Sequence, residues 1–230
     1  DDELRYLVRR LSEMGGIAER MVADAVAALV NADTASAQRV ISEDLLLDEG
    51  EREIYDKAVL LIAKRQPMAS DLREVIGSIR IASDLERVGD LGKNIAKRVI
   101  AVHTMAQPRK LVRGLEHLAE LALTQLKEVL DAFATRSPEL ANSIRERDEE
   151  IDAIYTSLFR ELLTYMMEDP RNITACTHLL FCAKNIERIG DHATNIAETV
   201  YYVATGEQFA AERPKDDDTA SMIAPVPGSA

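Results

Sequence analysis

The chain has 230 residues, with 40 Asp and Glu against 28 Lys and Arg, for a formal net charge of −12; 47% of it is hydrophobic. At roughly 100–200 residues per domain this length allows one large domain or two small ones, and the hydrophobic share suffices for a packed core. The acidic balance, without a block of Lys or Arg, argues against nucleic-acid binding, and no run of about 18 apolar residues is present to span a membrane.

Apolar residues recur at helical spacing almost throughout, and sparse Gly and Pro with abundant Ala, Leu, Glu and Arg favour helix over strand. The pattern predicts six helices, near 4–30, 34–65, 68–104, 109–135, 138–167 and 171–205. Asn31-Ala32-Asp33-Thr34 is a turn whose Asp33 or Thr34 caps the second helix. Pro67 ends or kinks that helix, because proline lacks the N–H and clashes with the preceding turn. Pro108 opens the fourth. Ser137-Pro138-Glu139 opens the fifth, with Ser as cap and Pro at the first helical position. Pro170 separates the fifth from the sixth.

From about Glu207 the periodicity stops. Asp216-Asp217-Asp218 and Pro225-Val226-Pro227-Gly228 read as a flexible, disordered acidic tail. The start of the chain shows no charged stretch leading into an apolar run, so no signal peptide is expected. Cys176 and Cys182 fit neither a CxxC pair nor a disulfide framework. Both are expected as buried free thiols in a reducing compartment, with the cytoplasm as default.

The most informative feature is an internal repeat. Residues 81–96 read IASDLERVGDLGKNIA and residues 182–197 read CAKNIERIGDHATNIA. Ala82, Glu86, Arg87, Gly89, Asp90, Asn94, Ile95 and Ala96 recur 101 residues on, from Ala183 to Ala197. Upstream, Asp44-xxx-Asp48 recurs as Asp148-xxx-Asp152, at an offset of 104. The change of offset places a net three-residue length difference around Pro67 and Pro170. Each half is therefore a three-helix unit with one acidic pair on its second helix and one on its third. The expected fold is all-α, two tandem three-helix bundles made by duplication: residues 1–106, residues 107–206, and the tail 207–230.

Carboxylates four apart share a helix face and repel. At about 100° per residue, with Glu86 as origin, Asp90 lies at about 40°, in line with Val75, Ile79 and Leu72. Glu187 and Asp191 likewise continue the line of Ile173, Cys176 and Leu180. Asp44 and Asp48 align with Glu51, Tyr55 and Ile62, and Asp148 and Asp152 with Tyr155, Phe159 and Leu162. Half-buried carboxylates at like-charge spacing must be protonated, paired or metal-bound. Oxygen-only pairs facing one another suit a divalent or trivalent cation. Gly89 and Gly190 leave room for another backbone or for the cation's shell. Two competing readings stay open: ion pairing with Arg87 and Arg188, and a solvated acidic face.

No catalytic apparatus accompanies these pairs. Glu-x-x-His is absent, since the third residue after Glu86 or Glu187 is Gly. His103, His117, His178 and His192 show no ligand spacing, and no phosphate-binding loop or nucleophile motif is present. The segment Arg65-Gln66-Pro67-Met68-Ala69-Ser70-Asp71-Leu72-Arg73 is either a joint between helices or a partner-docking surface.

The paired E-R-[VI]-G-D-x-x-x-N segments and the Pro67-xxx-Asp71-Leu72-Arg73 segment resemble the PhoU family of phosphate-transport accessory and signalling proteins. Tyr165-Met166-Met167-Glu168-Asp169 and Met14-Gly15-Gly16 are similar to its proteobacterial members. The likeness runs over about residues 4–206. It implies two tandem three-helix bundles, a cytoplasmic location and a homodimer. It implies E/D-xxx-D metal sites for Fe, Zn, Mg or Mn, filled here by Asp44, Asp48, Glu86, Asp90, Asp148, Asp152, Glu187 and Asp191, with Asn94 and Asn195 able to complete a shell. It also implies negative regulation of the phosphate-starvation response. The expected partners are the ATPase component of the phosphate ABC transporter and a sensor histidine kinase, with the membrane reached only through them. The protein is expected not to be an enzyme. The alternatives are a carboxylate-bridged di-metal enzyme and a metal-free helical adaptor.

Overall fold

A computed structural model describes residues 2–209, the Asp148 side chain excepted. The described residues are helical between short connections: α1 (Asp2–Asn31), α2 (Thr34–Arg65), α3 (Ser70–Val102), α4 (Arg109–Thr135), α5 (Pro138–Glu146), α6 (Asp148–Glu168) and α7 (Ile173–Thr205), with a single 3-10 turn at Pro170–Asn172. The fold is all-α, as the periodicity requires.

Local chemistry sets the ends. Asp33 caps α2, its Oδ1 accepting from the N–H groups of Ala35 and Ser36 at 3.0 and 3.1 Å. Ser137 Oγ accepts from the Leu140 N–H at 3.2 Å, and Pro138 follows at the first helical position. Before Pro67, Gln66 turns left-handed (φ 46°) and its N–H closes on the Ile62 carbonyl. Gly206 ends α7 at φ 82°, the conformation that favours glycine. The fifth expected helix runs as two segments, α5 and α6, which meet at Arg147 (φ −88°, ψ 0°).

Helices α1, α3, α7 and α4 pack in a closed ring, with α3 against α7 and α1 against α4 joining the two halves. Helix α2 lies outside on α1 and α3, and α6 lies outside on α4 and α7. One continuous core results, with Leu11, Met21, Leu85, Ile95, Leu115, Leu126 and Ile186 fully enclosed. Two polar contacts cross the α3–α7 seam. His192 Nδ1 lies 2.8 Å from Asp84 Oδ1, and Arg98 Nη1 lies 3.2 Å from His178 Nδ1. Arg98 also lies over the Phe181 ring, 4.2 Å from its centroid. Burial and the Arg98 charge hold the His178 imidazole below its ordinary range.

Both cysteines are free and buried as expected. Burial pushes the Cys182 thiol up to about 12, and burial raises Cys176 as well. The first residues of the expected tail are placed against the second bundle. Phe209 stacks on Tyr201 at 4.2 Å between centroids, and the Arg145 guanidinium sits 4.6 Å from the same ring. The rest of the expected tail, residues 210–230, lies outside the described residues. No described helix is long and apolar enough to cross a membrane.

Candidate functional site

The duplicated acids fall in two clusters on the outer sides of the ring, one between α2 and α3, the other between α6 and α7. The core face of α2 runs through Ala37, Val40, Asp44, Leu47, Ile54, Ala58 and Leu61. Asp44 therefore points inward and is buried, while Asp48 and Glu51 stand half-buried at the edge of that face. On α3, Glu86 and Asp90 are half-buried beside the core residues Leu85, Val88 and Leu91. In the second half Asp152 and Glu187 are buried and Asp191 is half-buried. Asp148 opens α6; its side chain lies outside the described residues.

Several residues expected on the apolar stripe lie off it. Tyr55 is 55% exposed, and Leu72 and Ile173 are exposed too, although Asp44, Val75 and Cys176 on the same lines are buried.

Close approach of the helices rests on the two glycines. A Cβ on Gly89 would overlap Leu47 Cδ1 of α2, and one on Gly190 would lie 2.9 Å from Ile151 Cδ1 of α6. Leu47 and Ile151 are matched by the 104-residue offset, as Gly89 and Gly190 are by the 101-residue offset. The glycine space in each half thus holds an aliphatic knob from the outer helix, where the sequence left it open for a backbone or a cation shell. This seating brings the outer-helix acids level with those of the inner helix.

In the first cluster, burial, with Asp90, Glu51 and Asp48 close by, pushes the Glu86 carboxyl up to about 7, against the pull of Arg87. Arg87 stands loosely, with Nε 3.6 Å from Glu86 and Nη1 3.9 Å from Asp90. The tight counter-charge is Lys93, whose ammonium bridges Asp44 and Asp90, the latter at 2.9 Å. Burial alone would lower the Lys93 pKa, but these two bonds raise it. In the second cluster burial raises Glu187, with Asp191 and Asp152 adding to the effect and Lys184, 3.0 Å away, opposing it. Lys93 follows its Asp by three residues, whereas Lys184 precedes its Glu by three; their counterparts across the repeat are Thr194 and Ser83. The anionic frame is duplicated and its counter-charge is not.

Sequence reasoning found the acids and Arg87. It missed both lysines, whose three-residue spacing from an acid on the same helix was the available signal. It also missed Gln125 of α4, buried beside Gly190 with neither amide atom hydrogen-bonded among the described residues. Beside the first cluster, Asp48, Glu51, Arg52, Tyr55 and Ile79 line an open cleft of about 450 Å³.

The donor chemistry fits a hard cation: oxygen ligands only, with burial and neighbouring like charges together pushing the Glu86 carboxyl up to about 7. As the side chains stand, no three His, Cys, Asp or Glu among the described residues converge to hold a metal ion. Lys93 and Lys184 supply positive charge instead, so a metal would have to displace them.

The sequence profile of the PhoU domain matches residues 11–99 and 115–200, one match in each half. The phosphate-specific transport system accessory protein PhoU homolog of Rhizobium meliloti (strain 1021) is 78% identical over 222 residues, 96% of this chain and 94% of that protein. The protein of the same description from Caulobacter vibrioides (strain NA1000 / CB15N) is 51% identical over 94% of each chain. Among solved structures, PhoU from Pseudomonas aeruginosa superposes with a TM-score of 0.86 at 39% identity, covering 90% of this chain and 99% of that one. The phosphate transport system regulatory protein PhoU from Streptococcus pneumoniae gives 0.84 at 31%, covering 92% and 99%. Two matched domains, two matched carboxylate clusters and near full-length identity lead to one conclusion: the chain belongs to the PhoU family.

Proposed function

We propose that this protein is a regulatory accessory protein of phosphate-specific transport, and not an enzyme. In this reading it acts in the cytoplasm as a homodimer. It links the ATPase component of the phosphate ABC transporter to a sensor histidine kinase and holds the phosphate-starvation response off when phosphate is plentiful. The observation that carries the reading is identity over nearly the whole chain with accessory proteins of that transport system. The outer face of α2 supports a docking role, because Leu45, Tyr55 and Val59 are left exposed there, at 64%, 55% and 47%. The test is deletion in the host followed by assay of phosphate-responsive transcription in rich phosphate. Derepression is expected; unchanged repression would contradict the reading.

The same proposal gives the carboxylate clusters a metal role. Asp44, Asp48, Glu86 and Asp90 would hold Fe, Zn, Mg or Mn in the first half, and Asp148, Asp152, Glu187 and Asp191 in the second. Bound cations would neutralise the clusters and tie the outer helices to the inner ring. Support comes from the burial and like-charge crowding that together raise Glu86 to about 7.

A second reading, a metal-free helical adaptor, is favoured by Lys93 and Lys184, which already stand against the carboxylates. Metal analysis of the purified protein separates the two.

A further inference from the structure

A cavity of about 760 Å³ opens where the start of α1 meets the end of α4. A second, of about 420 Å³, opens where the start of α4 meets the end of α1. They are counterparts under the duplication. Arg5, Val8 and Arg9 of the first match Arg109, Val112 and Arg113 of the second at the 104-residue offset. Phe133 matches Leu29, and the left-handed cap Arg136 (φ 53°) matches Ala32 (φ 51°). The segments read Arg5-Tyr6-Leu7-Val8-Arg9 and Arg109-Lys110-Leu111-Val112-Arg113. The leucine is buried in both, as the core demands. The core makes no such demand of the two arginines, exposed in both copies and four apart on one helix face, where like charges repel.

The lining of each cavity joins that cationic pair to an apolar floor. In the first, Glu74 is buried and neutralised by Arg136, whose Nη2 lies 2.8 Å from each of its oxygens. That leaves Arg5 and Arg9 facing Asp71 across the opening, with Arg5 also paired to Asp2 at 2.7 Å. The residues lining the second cavity include Arg109, Arg113 and His103 but no carboxylate. Three arginines against two carboxylates thus line the first cavity, and in a chain of net charge −12 the second is a local cationic site.

We propose that the two cavities are a matched pair of sites for a small organic phosphate ester. Two planar guanidinium forks one helical turn apart suit a doubly charged tetrahedral head, whereas a carboxylate would satisfy one fork. Both volumes fall in the few-hundred-Å³ range of small-molecule sites, larger than a bare ion needs. The floor, Val8, Phe133 and Val200 in one and Leu29, Val30 and Val112 in the other, receives the apolar body of the ester. The inference does not depend on metal in the carboxylate clusters.

The test is calorimetric titration of the full chain at low ionic strength with phenyl phosphate, inorganic phosphate and phenol. Phenyl phosphate saturates two sites per chain, and inorganic phosphate binds at least about tenfold more weakly because it leaves the floor uncovered. Arg5→Gln/Arg9→Gln removes one site and Arg109→Gln/Arg113→Gln the other. The quadruple variant loses both, with circular dichroism confirming that these exposed changes leave the helices intact. Three results would overturn the proposal: no saturable binding of phenyl phosphate by the unmodified chain, undiminished binding by the quadruple variant, or equal affinity for the ester and the bare ion.

Discussion

Leu47 of α2 fills the space that a side chain on Gly89 of α3 would occupy, and Ile151 and Gly190 repeat the arrangement between α6 and α7. This pair of knobs is what brings carboxylates from two helices level with one another in each half. A methyl group at Gly89 would force Leu47 out or push α2 away. Gly89→Ala is expected to destabilise the protein by about 2–3 kcal/mol, the cost of overpacking a tight core contact. Gly190→Ala, where the overlap is smaller, costs less. Adding Leu47→Ala to Gly89→Ala should recover part of the loss, in contrast to the additive damage expected of independent sites. Urea unfolding of the four proteins measures both effects.

Lys93 is the counter-charge of a buried carboxylate. Removing its ammonium leaves Asp44, 6% exposed, without that partner. Lys93→Met is expected to lose about 1–3 kcal/mol in metal-free buffer. If the first cluster takes a cation, the variant binds Mn²⁺ more tightly than the unmodified chain, because the metal no longer competes with an internal amine. Titration of Mn²⁺ followed by thermal unfolding reads both.

Glu86 gives the first cluster a pH signature. Its folded value of about 7 lies above the ordinary 4.5, so between those values the folded chain holds more protons than the unfolded one. That contribution is fully present below about pH 4.5 and is lost as pH rises through about 7. In metal-free protein Glu86→Gln should therefore be more stable than the unmodified chain by about 1 kcal/mol at about pH 8, after allowance for solvent screening of a half-buried group, and equal to it near pH 4. Denaturant titrations at the two pH values decide it.

Cys176 and Cys182 sit within α7 with raised pKa values, Cys182 at about 12. Thiolate is the reactive form, so neither thiol should react appreciably with a disulfide reagent in the folded protein near neutral pH, while both react on unfolding.

Helix content and most boundaries were legible in the sequence because turn chemistry is local. Asp33, Ser137 and the prolines act within one turn of themselves, and α2 and α4 run over the expected residues. Arg147 carries no such signal, so the joint between α5 and α6 was not legible. The carboxylate clusters were visible as a duplicated pattern, and a helical wheel places Asp44, Asp152 and Glu187 on the core side. The same wheel places Tyr55, Leu72 and Ile173 there too, although they are exposed. A uniform 100° wheel does not show which part of an apolar arc a neighbouring helix covers. The Lys93 bridge to Asp44 and the Asp84–His192 contact were hidden because each joins residues far apart in sequence. The Arg136–Glu74 pair was hidden for the same reason, and Arg136 reaches its partner from a left-handed cap that Ala32 also adopts without one.

The measurement that tests the account most directly is metal content. The protein is purified without chelator alongside Glu86→Ala/Asp90→Ala and Glu187→Ala/Asp191→Ala, and each sample is analysed for Fe, Zn, Mg and Mn. Duplicated carboxylate clusters that hold cations predict bound metal in the unmodified chain and loss of about half in each variant. Equal, near-zero metal in all three samples would contradict the ligand role and leave the clusters as lysine-neutralised parts of a metal-free adaptor.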